Sequence, residues 1–333
     1  MRISIVTPYF NGSRFLSETG QSLLNQSHHD WEWIIVDDDS RQDELGILDH
    51  WQQKDSRIRW ETRKGHPKGA NRCRNQGWQR ANSDYIIFLD SDDMLMPHAL
   101  KKRVQWLEEN SLPKTTIPYF QTVAFPENGK SQCLWDDPEN PTSWLASLWS
   151  QTPPCQSSGP LWTQSQLTMI GGWAEEIQVW QDIEIHQRAY FKGIRFIPAL
   201  KEKPDILYRI HVGSLSHQNF HSSEKLKSRA AVLWDAMEIA KKTRLNSDEE
   251  QALALMIWSV YRNACQIQHW PLAERLFKKI QHLPKKQINF LRRWRSIHKL
   301  RLNRLPMVVS GMNKRAQKLF PTPKRRILHS PFS

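Results

Sequence analysis

The apolar run Tyr85-Ile86-Ile87-Phe88-Leu89 stops at Asp90-Ser91-Asp92-Asp93. An unbroken apolar run of this length reads as a central strand of a parallel sheet, buried on both faces. Such a strand cannot bury charge. The acids therefore belong at its carboxyl end, where open α/β sheets bind their ligands. Asp90, Asp92 and Asp93 would repel one another there unless a hard cation sat between them. Oxygen ligands alone suit Mg²⁺ or Mn²⁺, with a substrate diphosphate completing the shell. The plainer reading is an acidic loop capping a helix that starts near Pro97.

The pattern occurs twice. Trp33-Ile34-Ile35-Val36 is a second apolar strand, and it ends in Asp37, Asp38 and Asp39. Ser40 then reads as the N-cap of a helix running to about Lys54, with Asp43 and Glu44 in its first turn. Ile3 to Val6 is an opening strand, broken by Pro8 and the turn pair Asn11-Gly12. Arg14 to Asn25, Ala70 to Ala81 and Pro97 to Asn110 have helical periodicity, and Arg57 to Glu61 is a short strand. Strands alternating with helices predict an α/β fold, a mostly parallel sheet with helices on both faces. Both acid clusters then fall at one sheet edge.

Beyond residue 110 the signals are weaker. Thr115 to Phe125 reads as a strand interrupted by Pro118, followed by a Trp-rich loop region punctuated by Pro138, Pro141, Pro153 and Pro154. Gly171-Gly172-Trp173 is a turn. The helix from Val179 to Tyr190 carries Asp182 near its start, and Arg195–Pro198 and Asp205–Arg209 are short strands. Helical periodicity returns over Glu224–Ala240, Asp248–Gln268, with Ser247 as a cap, and Leu272–Ile280.

Composition adds little until charge is placed along the chain. At 333 residues the chain has room for one large domain or two small ones. Cys73, Cys133, Cys155 and Cys265 show no metal-type pair spacing and suit a reducing compartment. The chain enters a strand at once, so no signal peptide is expected, and no apolar run approaches the ~18 residues of a spanning helix. Residues 271–333 hold 17 Lys/Arg against one acid, Glu274, a charge of +16; with +13 for the whole chain, the rest carries −3. The basic character belongs to the tail.

Taken in order, six segments resemble the family 2 glycosyltransferases of the GT-A fold over roughly residues 1–220. Val6-Thr7-Pro8-Tyr9-Phe10-Asn11 resembles the opening strand and turn, with Phe10 where the family usually has Tyr. Trp33 to Ser40 resembles the nucleotide-binding VDDGS segment, with Asp39 for its glycine. Lys68 to Gly77 resembles the segment ending in Arg-Asn-x-Gly, and Asp90-Ser91-Asp92-Asp93 resembles the metal motif. Gly171-Gly172-Trp173 followed by Gln181-Asp182 resembles the acceptor-side GGF…ED region, with Gln181 for Glu. Tyr208-Arg209-Ile210-His211, with Ser214 and Ser216, resembles the closing element.

The resemblance implies a GT-A catalytic domain over 1–220, with a nucleotide-binding half at 1–110 and an acceptor half at 111–220. A helical, strongly basic extension follows at 221–333. It implies a metal-dependent, inverting transfer of sugar from a nucleotide-diphosphate donor, a UDP-sugar. The acceptor would be a glycan or a lipid-linked intermediate in cell-surface polysaccharide or lipopolysaccharide synthesis. An Asp carboxylate can accept the N3–H of uracil; Asp37 and Asp38 are the candidates, and the family pattern favours Asp38. Pro8 lines the nucleotide side, Phe10 would stack on the base, and Arg74 would contact base or phosphate. Asp90, Asp92, Asp93 and His211 would hold Mn²⁺ or Mg²⁺, with Asp92 or Asp93 as direct ligand. Asp182 would be the general base. Each has a plainer alternative: a helix-terminal charge for Asp37 and Asp182, a solvated face for Arg74, a surface or core residue for His211.

Other functions stay open. A nucleotidyltransferase uses a similar half-sheet, but it typically needs a Gly-rich loop after the first strand, and Pro8–Ser13 has only Gly12. A catalytically silent sugar-nucleotide-binding protein would not need the acids or Asp182. The basic tail permits nucleic-acid binding, for which the rest of the chain gives no support. A helix over 287–305 would align Leu291, Trp294, Leu302 and Leu305, amid basic residues. That arrangement suits the surface of an anionic membrane. The expected location is cytoplasmic, peripheral at the inner face of the plasma membrane. A solvated tail or a helical cap on the domain are the alternatives.

Overall fold

The computed structural model describes residues 1–127, 132–134, 143–199, 203–211, 222–280, 284–300, 306–320 and 327–328. The first half runs β1 (Ile3–Tyr9), α1 (Ser13–Leu24), β2 (Trp31–Asp37), α2 (Gly46–Lys54), β3 (Ile58–Thr62), α3 (Ala70–Gln79) and β4 (Tyr85–Phe88). There follow β5 (Met94–Leu95), α4 (Ala99–Glu109), β6 (Thr116–Tyr119), β7 (Thr122–Pro126), β8 (Gln132–Leu134) and α5 (Trp144–Trp149). Next come β9 (Trp162–Thr163), α6 (Gln164–Ile170), α7 (Gln181–Phe191), β10 (Arg195–Pro198) and β11 (Ile206–Ile210). The chain ends with α8 (Ser223–Lys242), α9 (Ser247–Gln266), α10 (Trp270–Lys279), α11 (Lys285–Lys299), α12 (Pro306–Leu319) and β12 (Ile327–Leu328).

The main sheet has the order β3-β2-β1-β4-β9. Its first four strands are parallel and β9 is antiparallel to β4. Side chains alternate between two cores, as the period of a strand requires. Ile3, Ile5 and Tyr9 face Leu16 and Leu23 of α1, Leu48 and Trp51 of α2, and Leu100 of α4. Val6 faces the other way, with Ile34, Val36, Ile86 and Phe88, beneath Cys73 and Trp78 of α3 and Ile185 of α7. The contact of α3 with β1 depends on Gly77, where an added Cβ would lie 2.3 Å from Val6 Cγ1.

A second sheet, order β12-β8-β7-β11-β5, decides what reaches the acids. β5 begins at the residue after Asp93 and pairs antiparallel with β11, Ile206 opposite Leu95. That pairing brings Arg209 and His211 beside the β4 acids. Arg103 of α4 fixes the start of β11 through a bidentate pair with Asp205, at 2.8 and 2.9 Å, with both side chains buried. Losing one partner of such a pair typically costs about 3–5 kcal/mol.

Several local expectations shift. Ser40 caps no helix: its hydroxyl accepts from Asn11 N and its own N–H donates to Asp37, while a 3₁₀ turn, Gln42–Glu44, precedes α2. Pro118 lies within β6, which pairs along its outer edge with β10, and the break comes after Tyr119. Asn246, not Ser247, caps α9, in a reciprocal pair with Glu249.

Chain contacts define two units. One holds 1–141, 154–214 and 325–333; the other holds 142–153 and 215–324. The expected boundary near 220 falls outside the described residues. The Trp-rich loop region contains α5, which belongs to the second unit. Within that unit Trp258 of α9 meets Phe290 and Trp294 at ring distances of 5.1 and 4.9 Å and stacks on Phe320. This corrects the tail reading. Leu291 and Trp294, expected to face a membrane, are core residues, and Leu302 and Leu305 lie outside the described residues. No helix among the described residues is long and apolar enough to cross a membrane.

Candidate active site

The parallel strands β1, β2 and β4 end side by side, so Phe10, Asp37–Asp39 and Asp90–Asp93 share one sheet edge. At the β4 end the three acids have different surroundings. Asp90 and Asp92 keep 30% of their side-chain surface exposed. Asp92 Oδ2 lies 2.8 Å from His211 Nε2, and the His211 ring packs on Phe15. Burial, and then the charge of Asp90, raise the pKa of the Asp92 carboxyl, while His211 pulls it down. Asp93 departs from the expected metal role. It is fully buried, one oxygen accepts from Arg209 N at 2.9 Å, and the other faces Gln156 Nε2 at 3.5 Å. Burial drives its pKa well above the carboxylate range, with Asp92 and Asp90 adding. Asp93 is thus a buried tie between the acid loop and β11.

Among the described residues no three His, Cys, Asp or Glu side chains form a complete metal cage. The donor set is nevertheless one that a hard cation accepts when a substrate completes its shell. Asp90 and Asp92 are half-buried oxygen donors under mutual repulsion, and His211 stands beside them with Nδ1 buried and unpaired. Mg²⁺ is commonly held by one or two carboxylates plus substrate phosphates.

At the β2 end the protein neutralises its own acids. Asp37 is buried and accepts from Ser40 N at 3.2 Å. Asp38 Oδ1 accepts from Arg63 Nε at 2.5 Å and from Gly69 N at 3.1 Å. Arg63 also donates to Asp39 and to the Gly65 carbonyl. Pro8, half-buried, pairs with Val36 across β1 and β2. Phe10 is 36% exposed, with Lys68 Nζ 4.0 Å from its ring centroid.

Arg74 joins the two sides of the site. It is buried over the Trp173 ring, donates to Asp90 at 2.7 Å, and donates to Gln181 at 2.8 Å. Expected from sequence to contact base or phosphate, it is buried here and ties the acid motif to the start of α7. Gln181 stands where a Glu was expected, and its carbonyl oxygen is what Arg74 meets. The next residue, Asp182, lies in the first turn of α7, half-buried. No hydrogen bond among the described residues ends on its carboxylate. Burial pushes its pKa up to about 7, with Arg74 opposing and Asp90 adding.

Sequence reasoning missed Arg63, Arg209 and Tyr208. Arg209 donates to the Asp92 carbonyl at 3.0 Å and pairs with Glu18. Tyr208 feels Asp93, Asp90, Asp92 and Asp182 together, after burial, and its hydroxyl is held protonated. Only the neighbourhood of Tyr208-Arg209-Ile210-His211 was visible as a motif. Arg63 had no signal, because an Arg just after an edge strand is ordinary. The Ser214 and Ser216 of that motif lie outside the described residues.

Residues 4–143 match the family described as glycosyl transferase family 2. TuaG of Bacillus subtilis, named for glycosyl transfer in teichuronic acid biosynthesis, is 37% identical over 109 residues, 33% of this chain and 43% of that protein. The GalNAc(5)-diNAcBac-PP-undecaprenol beta-1,3-glucosyltransferase of Campylobacter jejuni is 32% identical over 108 residues, 32% of this chain and 35% of its own length. The matched region thus spans less than half of either relative. Among solved structures, S. aureus TarS 1–349 in complex with UDP-GlcNAc superposes with a TM-score of 0.63, covering 90% of this chain and 89% of that one at 16% identity. That likeness shows a shared fold, the GT-A fold with a helical C-terminal region. The family resemblance to glycosyl transferase family 2 is thus carried by residues 4–143, and the fold likeness extends beyond them.

Proposed function

We propose that the chain is a metal-dependent, inverting glycosyltransferase that moves sugar from a nucleoside-diphosphate donor to a glycan or lipid-linked acceptor in cell-surface polysaccharide synthesis. The observation that carries this reading is the placement of two half-buried acids, Asp90 and Asp92, near a proton-accepting candidate, Asp182, with Arg74 bridging Asp90 to the neighbouring Gln181. Asp90 and Asp92, with His211, would hold Mn²⁺ or Mg²⁺. Such an ion supplies charge neutralisation for the departing diphosphate. Phe10, Pro8 and Asp38 would receive the base, with UDP favoured by the carboxylate of Asp38 and by the donor bound to TarS. The lipid-linked acceptor class is supported by the undecaprenol in the name of the Campylobacter relative.

Asp182 would take the acceptor hydroxyl proton as that oxygen attacks the anomeric carbon. A single displacement of this kind inverts the centre. Other acids nearby are engaged: Glu184 pairs with Arg188 at 2.6 Å and Glu175 with Arg72 at 2.8 Å. Arg74 keeps Asp90 and α7 in fixed register, so that a metal-bound donor and the base would approach from defined directions.

The basic extension would dock on an anionic membrane by charge alone. On α11, Ile288, Phe290, Leu291 and Trp294 are buried, while Lys285, Lys286, Arg292 and Arg293 share the exposed face, and Lys299 pairs with Glu274 at 3.3 Å. The test of the central reading is a panel of sugar nucleotides incubated with protein, acceptor extract and Mn²⁺. One donor should release nucleoside diphosphate in a chelator-sensitive way; release from none, or release unaffected by chelator, would contradict it.

A further inference from the structure

Arg63 is an unusual group at the nucleotide end of the site. Its side chain is 4% exposed, yet it carries a full charge. It directly follows β3, its backbone N–H donates to Asp37 O at 2.7 Å, and its guanidinium reaches Asp38, Asp39 and the Gly65 carbonyl together. One side chain thus links the loop after β2 to the loop before α3. Gly69 N completes the hold on Asp38 Oδ1 from the second loop. Gly69 has φ +145°, a conformation that favours glycine, so this approach of the backbone is built into the sequence.

Both donors converge on a single oxygen of Asp38. No hydrogen bond among the described residues ends on Oδ2. The Arg63 guanidinium donates to Oδ1 at 2.5 Å, a charge-assisted bond that fixes its direction. A carboxylate fixed through one oxygen can only accept at the other. Phe10 follows Tyr9, whose carbonyl accepts from Asp38 N at 2.8 Å, so a base resting on its exposed ring would meet Asp38 at its edge.

We infer that Arg63 is a positioning residue for nucleobase choice: it orients Asp38 so that its open oxygen accepts a ring N–H. The inference rests on reading the site as a nucleoside-diphosphate site. Uracil offers an N–H at N3, whereas cytosine presents a lone pair there and would meet the carboxylate with repulsion. A site built around such a group discriminates strongly, because the mismatched base leaves a buried polar group unpaired. Asp39 and Lys68 have a secondary place: Asp39 completes the hold on Arg63, and Lys68 Nζ lies 3.4 Å from the Asp39 carbonyl and over Phe10.

Calorimetric titration of the full chain with UDP, CDP and inorganic pyrophosphate, all with Mn²⁺, tests this. The wild type should bind UDP on the order of tenfold or more tighter than CDP. Arg63→Lys, with a thermal midpoint recorded to confirm folding, should lose that preference while its pyrophosphate affinity stays the same, because one compact ammonium cannot reproduce the spread of Nε, Nη1 and Nη2 over three separate oxygens. Asp38→Asn, whose amide can donate to cytosine N3, should reverse the preference towards CDP. Equal affinity of the wild type for UDP and CDP, or an unchanged UDP preference in folded Arg63→Lys or in Asp38→Asn, would overturn the inference while leaving a nucleotide site in place. Binding of pyrophosphate without either nucleotide would overturn it too. Binding of none of the three would remove the nucleotide-site reading itself, and this inference with it.

Discussion

The chain places three acids at the end of β2 and three at the end of β4, and the structure treats the two sets in opposite ways. Arg63 absorbs Asp38 and Asp39, and Ser40 N satisfies Asp37. At β4 only Asp90 has an arginine, Asp92 has a histidine, and Asp93 is buried without a cation. Charge that the fold itself neutralises can serve as a fixed hydrogen-bond acceptor. Charge left partly unmatched in a low-dielectric setting raises its own pKa, and a bound cation relieves it. On the proposed reading, the same sequence pattern would serve base recognition in one place and metal binding in the other.

The sharpest way to break this contrast is to remove one acid from each cluster. Asp92→Ala should abolish turnover and the effect of Mn²⁺ on nucleotide binding. Asp38→Ala should weaken nucleotide binding but leave the dependence on Mn²⁺ intact. Turnover assays across a Mn²⁺ titration separate these outcomes; if both variants lose the Mn²⁺ dependence alike, the two clusters do not have separate roles.

Asp182 comes next in size. Asp182→Asn should lower the rate on the order of 10²–10⁴-fold with donor affinity retained, as loss of a general base does. A group whose pKa is raised to about 7 is protonated below that pH and cannot accept a proton. The wild-type rate should therefore climb as pH rises through about 7 and then level off, and the Asn variant should lack that climb. Single-turnover rates from pH 5.5 to 8.5 measure both; a profile shared by the two proteins would place the base elsewhere.

The pattern of strand, acid and helix was legible because it is local. The β1, β2 and β4 runs and the start of α7 are set by periodicity and by where charge interrupts it, and each begins within two residues of expectation, although β1 runs on through Pro8 to Tyr9. Whether each acid is compensated was not legible. Arg63 and Asp38 are 25 residues apart, Arg74 and Gln181 are 107 apart, and Arg209 and Asp93 are 116 apart. Those partnerships depend on strand order and on the β5–β11 pairing, which no local pattern encodes. The tail shows the same limit. The amphipathic period of α11 was readable, but an apolar face looks alike whether it meets lipid or Trp258.

The smallest expected effect concerns that tail. With its apolar face buried, α11 can offer a membrane only charge, at about 1 kcal/mol per basic residue near the lipid. Substituting Lys285, Lys286, Arg292 and Arg293 by Gln should release the protein from anionic vesicles in a sedimentation assay at low salt, without changing its thermal midpoint. Undiminished sedimentation of this variant would exclude α11 as the contact.

The central claim is that the β4 acids form an incomplete metal site finished by the donor. Calorimetric titration of Mn²⁺ into the wild-type chain, with and without saturating UDP, tests it directly. The account predicts weak Mn²⁺ binding alone, marked strengthening by UDP, and an equal reciprocal strengthening of UDP binding by Mn²⁺, as linkage demands. Tight Mn²⁺ binding without nucleotide, or Mn²⁺ binding indifferent to UDP, would contradict it.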